Sequence, residues 1–175
     1  SPIPALASQP SITKKIDTGD MRMLSAVYDN NTIVQTFNTS CNPAQTVTQA
    51  CIRVQEVNVN NYSLQEDTNI GINGHDVYHP SLALNGNGER ILISGISGSA
   101  TFPSMIMGDE NNNFKVLAHG KAPLNDNPGI NEPNRYGDYL ATAVDPVDGS
   151  VWGSGQYVDQ NLAGAWSTFI GHMAN

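Results

Sequence analysis

Short runs of β-branched and aromatic residues, separated by turns rich in Asn, Asp and Gly, recur along the whole chain. CIRVQEVNV at 51–59 alternates between apolar and polar positions, while ILISGI at 91–96 and YLATAV at 139–144 are compact apolar runs. We find no stretch of about 11 residues with apolar side chains at the i, i+3, i+4 and i+7 spacing of an amphipathic helix. The pattern therefore predicts an all-β chain of about 10–12 strands.

Turn sequences divide these runs into hairpins. Asn30 and Asn31 separate MLSAVYD from TIVQTFN, and NGNG at 85–88 separates SLAL from ERILISG. Asn and Gly favour the positive φ angles of tight hairpins. Two further hairpins are predicted to turn at 109–113 and at 145–149.

The hairpins form a repeat of three units, which begin near Met21, Pro80 and Arg135. In each unit a polar or Pro-containing lead precedes a strand that ends in a pair of small or apolar residues, and an Asn/Asp/Gly turn then leads to a strand of β-branched or aromatic residues. The three pairs are Ser25-Ala26, Leu82-Ala83 and Thr142-Ala143. Small residues suit the leading strand of a propeller blade, which lines a tightly packed central channel.

This repeat predicts propeller-like antiparallel blades. Its spacing of roughly 55 residues is close to the roughly 40–50 residues of a propeller blade. We predict a partial propeller of about three to four blades, with blades at roughly 20–72, 73–122 and 123–175. Residues 1–19 form an N-terminal strap or the end of a preceding blade. A β-sandwich and a jelly roll are the alternative architectures.

The third repeat unit contains the most specific sequence motifs. NRYGDY at 134–139, VDP at 144–146 and Val151-Trp152 resemble the R-W-G-D-Y…vDP…fW signature of sialidase-like β-propeller repeats in secreted bacterial proteins. YHPSLALN at 78–85 and WSTFI at 166–170 resemble neighbouring blocks of the same repeat. The resemblance spans roughly residues 20–173 and implies the propeller fold.

The resemblance does not extend to sialidase chemistry. Tyr136 stands where the signature has Trp, and the S-x-D-x-G-x-x-W Asp-box pattern is not matched. True sialidases carry an arginine triad, a Tyr/Glu nucleophile pair and an acid Asp, whereas of the four arginines here only Arg135 lies in a family motif. Because one fold hosts many functions, the motif indicates a fold rather than an activity.

Charge excludes one class of function. The chain has 175 residues and a formal net charge of -8, and its eight Lys and Arg residues form no cluster. A nucleic-acid-binding protein needs a basic face that displaces phosphate counterions. No apolar run approaches the roughly 18 residues of a membrane-spanning helix.

The two cysteines indicate the compartment. Cys41 and Cys51 match neither a C-x-x-C motif nor a zinc pattern, and we predict a disulfide that pins a hairpin, with two free buried thiols as the alternative. A disulfide indicates a secreted or extracellular protein. Asn30, Asn38 and Asn61 lie in N-glycosylation sequences, which agrees with secretion. The chain begins at Ser1 rather than Met, which predicts a processed or trimmed product.

The candidate ligand-binding residues come from the third unit. Arg135 and Asp138 lie three residues apart across a Gly, so they either form a structural ion pair or contact an anion, a sugar or a metal ion. Tyr136, Tyr139 and Trp152 either pack in the core and between blades or stack on sugar rings.

Asp145 and Asp148 are the candidate metal ligands. Their oxygens are of the type that Ca²⁺ prefers, so Ca²⁺ is the one cofactor we consider, although Asp also stabilises turns by bonding the local backbone. His75 and His79 lie four apart between a Gly and a Pro, in a loop entering a strand, and we interpret them as structural residues.

These observations favour a secreted or surface-displayed, non-catalytic β-propeller module for binding or assembly through glycan or protein contacts. The alternative is a glycoside hydrolase or lyase with an axial site completed by other blades. Because about three blades do not close a propeller, we expect another protein chain to cover the open edge, either a precursor fragment or a second copy.

Overall fold

The computed structural model describes residues 2–109, 111, 113–126, 129, 132–159 and 165–174. All regular elements in these ranges are β-strands, so the predicted all-β class is confirmed. Three antiparallel sheets hold most of the strands, and the described residues form no closed propeller. No helix in the described part of the chain is long and apolar enough to cross a membrane.

Sheet I is a four-stranded antiparallel meander. Its strands are β2 (Met23–Asp29), β3 (Thr32–Cys41), β4 (Gln49–Asn58) and β5 (Leu64–Ile70). The turn between β2 and β3 is the predicted Asn30-Asn31 hairpin, and both residues have positive φ angles of 45° and 64°. Asn tolerates this left-handed region better than most residues, which explains why the chain reverses there.

The predicted disulfide between Cys41 and Cys51 is confirmed, with a Cα–Cα distance of 5.7 Å. Cys41 ends β3 and Cys51 lies in the neighbouring strand β4. Gly71 lies against the bridge, since a Cβ atom at this position would approach Cys41 Sγ to 2.7 Å.

Sheet II is a second four-stranded antiparallel meander. Its strands are β6 (Asp76–Leu84), β7 (Arg90–Gly98), β8 (Thr101–Asp109) and β9 (Lys115–Ala118). The predicted NGNG hairpin joins β6 to β7, with Gly88 at a φ of 80° and the Asn85 N–H donating to Glu89 O at 2.9 Å. The register of β6 against β7 shifts between Tyr78 and Ser81, which marks a bulge in the leading strand.

Sheet III has three antiparallel strands. They are β11 (Ala141–Val144), β12 (Val151–Tyr157) and β13 (Ser167–Met173). Two short strands, β1 (Ile16–Asp17) and β10 (Asn134–Arg135), pair in parallel outside the three sheets.

Sheet II lies between the other two sheets, and apolar side chains fill both interfaces. The core between sheets I and II contains Val34, Ile52, Val54, Ile70, Val77, Leu82, Leu92, Ile96 and Ile106. Sheet III approaches sheet II closely because glycines of β12 and β13 face it. A Cβ atom at Gly153 would lie 2.7 Å from Ile93, and one at Gly155 would lie 2.6 Å from Met105.

The leading strands of the three sheets, β2, β6 and β11, lie next to one another around a groove of about 870 Å³. Hydroxyl groups link them. Ser81 Oγ lies 2.9 Å from Thr142 Oγ1, and the Leu82 N–H donates to Ser25 Oγ at 3.1 Å. All three predicted small-apolar pairs line this groove.

Candidate functional site

A second cavity, of about 460 Å³, gathers charged side chains from distant parts of the chain. We call it the polar cleft. It is lined by Asp17, Gly19, Asp20, Arg22, Met23, Leu24, Asn38, His79, Arg135, Asp138 and Tyr139. The cleft depends on the parallel β1–β10 pair, because the register of that pair sets Asp17 directly beside Arg135.

Arg135 forms the first charged group of the cleft. Its guanidinium contacts the Asp138 carboxylate and lies 3.3 Å from Asp17 Oδ2. The Arg135 backbone N–H donates to Asp126 Oδ1 at 3.1 Å, which holds the strand end in place. The Arg135 side chain is still 59% exposed, so part of its hydrogen-bonding capacity faces the cleft.

Asp20 and Arg22 form the second charged group, on the segment that leads into β2. Arg22 Nε lies 2.9 and 2.7 Å from the two Asp20 carboxylate oxygens, and Arg22 Nη2 lies 2.7 Å from Asp20 Oδ2. The hydrogen bond from Arg22 lowers the pKa of Asp20 below its usual value. Both side chains are more than half exposed, so the pair lies at the rim.

His79 lies at the floor of the cleft and is 2% exposed. It occupies the β6 bulge with a φ of 54°, and its backbone N–H donates to Asn38 Oδ1 at 2.7 Å. Its Nε2 is 3.4 Å from Asp17 O and 4.0 Å from Asp138 Oδ1, while its buried Nδ1 has no partner among the described residues. Burial lowers the pKa of His79 below its usual value, so the neutral imidazole is favoured.

Gly19 covers this histidine. Its φ is 72°, and a Cβ atom there would lie 3.2 Å from His79 Cε1 and 3.3 Å from Asn38 Nδ2. A larger residue would therefore be strained by its backbone and crowded by the floor of the cleft.

The structure separates the two tyrosines of the NRYGDY segment. Tyr139 is 89% exposed at the rim of the cleft, whereas Tyr136 is 2% exposed in the core. The single Tyr136 hydroxyl proton is shared between Gln156 O and Ser104 O, the latter at 3.3 Å. Of the two roles predicted for Tyr136, core packing and ligand binding, its burial fits core packing.

Trp152 does not join this site. It lies on β12, is 42% exposed, and stacks on His172 of β13 with ring centroids 4.8 Å apart. The polar cleft therefore contains Arg135, Asp138 and Tyr139 of the predicted ligand-binding set, and Trp152 belongs to a different surface.

The predicted metal ligands act in a turn. Asp145 Oδ1 accepts a hydrogen bond from the Val147 N–H, and Asp148 Oδ1 accepts one from the Ser150 N–H, both at 2.8 Å. Within the described ranges no group of three or more His, Cys, Asp or Glu residues is placed to hold a metal ion. The bonds observed at Asp145 and Asp148 are those of turn chemistry.

The three predicted glycosylation sites differ in access. Asn30 and Asn61 are exposed in turns. Asn38 is 1% exposed and its side-chain oxygen is bonded to the His79 backbone, so a glycan at Asn38 does not fit the folded chain.

Reasoning from the sequence did not assign most of the residues that line the cleft to a binding site. Asp17, Asp20, Arg22 and His79 lie at least 56 positions before Arg135, and no motif connects them to it. The one local signal is Gly19 between two acidic residues, which indicates a tight, polar turn.

No family model, no curated protein and no solved structure matches the chain. The sialidase-like resemblance therefore remains a prediction from the residues that carry it.

Proposed function

We propose that this chain is an arc of a β-propeller that serves as a secreted, non-catalytic binding module, and that its polar cleft binds a neutral glycan. The propeller interpretation is supported by the side-by-side packing of β2, β6 and β11, the first strands of the three sheets, around one groove. The disulfide is compatible with secretion.

The proposal that the polar cleft binds a glycan rests on one observation. Tyr139, the most exposed aromatic ring of the cleft at 89%, stands beside two Arg–Asp pairs whose charged groups face the same cavity. An exposed ring offers an apolar face to the C–H face of a pyranose, while the paired charges offer donors and acceptors to its hydroxyl groups. This combination of a flat apolar wall and a few convergent polar groups is typical of small-ligand sites.

The charges of the cleft favour a neutral ligand. Among its described lining residues, three carboxylates (Asp17, Asp20 and Asp138) accompany two guanidinium groups (Arg22 and Arg135). An anion would be repelled by the surplus carboxylate. A cation would be attracted only weakly, because the guanidinium groups already neutralise most of the negative charge. A hydroxyl group both donates and accepts hydrogen bonds, so it satisfies both partners of an ion pair.

Calorimetric titration with a panel of neutral, sialylated and uronic-acid oligosaccharides tests this function. We expect binding to at least one neutral member, and a loss of about tenfold or more in affinity in Tyr139→Ala, which removes the apolar wall. Tyr28→Ala is the matched control, because Tyr28 is also an exposed tyrosine, at 64%, but lines the other groove. Absence of binding to every neutral oligosaccharide, or equal loss in both variants, would contradict the proposal.

The groove between the leading strands does not favour the alternative, a glycoside hydrolase or lyase with an axial site. Such a site needs inward-facing Arg, Glu and Tyr residues. Of the described residues that line the groove, Tyr28 and Asp29 are the only titratable ones. Turnover of any member of an aryl-glycoside panel would support the enzyme instead.

We also propose that another protein chain covers the open end of the arc. Sheet III packs on sheet II through one face, and its other face carries Trp152 and Ile170, which are 42% and 66% exposed. Exposed apolar patches of this kind mark interaction surfaces.

A further inference from the structure

Tyr139 lines two cavities, the polar cleft and a smaller cavity of about 300 Å³ on sheet III. We call the smaller cavity the sheet III pocket. Because Tyr139 is 89% exposed, its ring is open to both cavities. The lining of the sheet III pocket includes Gly137, Tyr139, Ser154, Gln156, Thr168 and Ile170.

The pairing of β12 with β13 places the polar side chains of this pocket on one face. Ser154 pairs with Ile170, and Gln156 pairs with Thr168. Directly paired residues of an antiparallel sheet share a face, and the intervening glycine of β12 faces sheet II. The four side chains therefore project together from the face of sheet III that points away from sheet II.

Gln156 lies against the segment that carries Tyr139. A Cβ atom at Gly137 would lie 2.5 Å from Gln156 Oε1 and 3.3 Å from Gln156 Cβ. The glycine therefore lets the Gln156 side chain lie beside the chain only two residues before Tyr139. The amide group and the exposed aromatic ring thus belong to one surface.

The sheet III pocket has the chemistry of a site for neutral hydroxyl groups. None of the described residues that line it is charged. The Gln156 amide and the hydroxyl groups of Ser154 and Thr168 all combine donor and acceptor capacity, as a sugar hydroxyl group does. A charged group would lose its hydration in this pocket without gaining an opposite charge. The pocket therefore favours a neutral ligand, as the polar cleft does.

We propose that the sheet III pocket is a second sugar subsite, so that the chain binds a neutral oligosaccharide of at least two residues across Tyr139. One sugar lies in the polar cleft and the next in the sheet III pocket, with the Tyr139 ring packed against both. This inference rests on the glycan binding proposed above. It adds the minimum length of the ligand, and it identifies Gln156 and Thr168 as the residues that select for that length.

The sheet III pocket meets the surface proposed for another protein chain only at Ile170. Trp152, the other exposed residue of that surface, lies four residues from Gln156 on β12, or about 13 Å along the strand. A chain seated over Trp152 therefore borders the pocket without filling the end formed by Gln156 and Thr168. The variants that test the subsite lie at that end.

Calorimetric titration with matched sugars of different length tests the inference. The pairs are glucose and cellobiose, mannose and mannobiose, and N-acetylglucosamine and chitobiose. We expect the disaccharide of at least one pair to bind about tenfold or more tightly than its monosaccharide. Gln156→Ala and Thr168→Val should each lower this ratio by about threefold or more, because each removes hydrogen-bonding groups from the second subsite. Thr168→Val also keeps the β-branched shape that suits an exposed strand position. Gln65→Ala, at an exposed glutamine of β5, is the matched control and should keep the ratio.

The side-chain amide resonance of Gln156 gives a readout that does not depend on affinity. At equal saturation of the chain, we expect the disaccharide to shift this resonance more than the monosaccharide does. Equal affinity for both sugars in every pair that binds, or a ratio that neither variant changes, overturns the second subsite and leaves the glycan site of the polar cleft standing. Absence of binding to all six sugars and to every neutral oligosaccharide of the panel overturns both proposals.

Discussion

The imidazole ring of His79 lies parallel to the phenol ring of Tyr136, with centroids 6.2 Å apart and an angle of 1° between the planes. The Tyr78 ring meets both at nearly right angles, at 5.6 Å from His79 and 5.2 Å from Tyr136. These three rings join β6 to the segment after β10, and among them His79 lines the polar cleft. The stability of this cluster therefore determines whether the charged residues above it keep their positions.

The Tyr136 hydroxyl is the first target. In Tyr136→Phe the shared hydrogen bond to the Ser104 and Gln156 carbonyl oxygens is lost, and we expect the free energy of unfolding to fall by about 1–3 kcal/mol. Urea denaturation measures this loss. Tyr139→Phe is the control, because the exposed Tyr139 should tolerate the change within about 0.5 kcal/mol. Equal stability of Tyr136→Phe and the native chain would show that the hydroxyl is not bonded in the core.

Gly95 leaves the space that the aromatic cluster needs. A Cβ atom at Gly95 would lie 2.6 Å from Tyr78 Cε2 and 3.0 Å from Tyr136 Cε1, and buried rings have little room to retreat. We expect Gly95→Ala to destabilise the fold by about 1–3 kcal/mol in urea denaturation and to weaken ligand binding in the cleft.

Gly171→Ala is the comparison for Gly95→Ala. Its Cβ atom would meet the methyl groups of Leu117 at 3.1 Å, and these belong to a flexible side chain. We expect a smaller loss of stability there. A Gly95→Ala variant as stable as the native chain would contradict the tight packing of the cluster.

The buried His79 predicts a loss of stability in mild acid. Burial lowers its pKa in the folded state, although Asp138 and Asp17 oppose the shift and Arg135 adds to it. In the unfolded chain the imidazole titrates near 6.5, so the unfolded state binds more protons below this pH. The stabilisation is thus present above the unfolded-state pKa and is lost as the pH falls towards the folded-state pKa.

Urea denaturation at a series of pH values from about 7.5 to 5 measures this effect. The decline should be reduced in His79→Asn, which removes the titrating group and suits the positive φ angle. His172→Asn, on the exposed face of sheet III, should keep the decline. A pH profile unchanged by His79→Asn would refute the assignment.

The disulfide should stabilise the fold mainly by restricting the unfolded chain. The cysteines are ten residues apart, and closing a loop of this size contributes about 3 kcal/mol. We expect a Cys41→Ala/Cys51→Ala variant to unfold at a lower urea concentration by this amount. The native chain should shift in the same direction on adding a reductant, whereas the double variant should not respond to it.

The strand pattern and its turns could be predicted from the sequence because they depend on neighbouring residues. The Asn30-Asn31 hairpin is an example, since two adjacent residues that tolerate positive φ are enough to reverse the chain. The disulfide is another, because its partners lie in neighbouring strands.

The candidate site could be predicted only in part. Arg135, Asp138 and Tyr139 come from one short segment and all line the cleft, but Tyr136 of that segment faces the core. The alternation of side chains between the two faces of a strand does not predict these positions, because the chain leaves β10 after Arg135. It then passes through Gly137, where a Cβ atom would lie 2.5 Å from Gln156 Oε1. The side on which each tyrosine lies is thus decided by what packs against it.

The sequence by itself determined the all-β class, the hairpins and the disulfide, since these follow from local backbone preference and from short loop closure. Only the tertiary structure decided that Asp17 pairs with Arg135 and that His79 lies beneath Gly19. These relationships join residues up to 118 positions apart. They depend on which sheets pack together and in which register, and no local pattern along a chain carries that information.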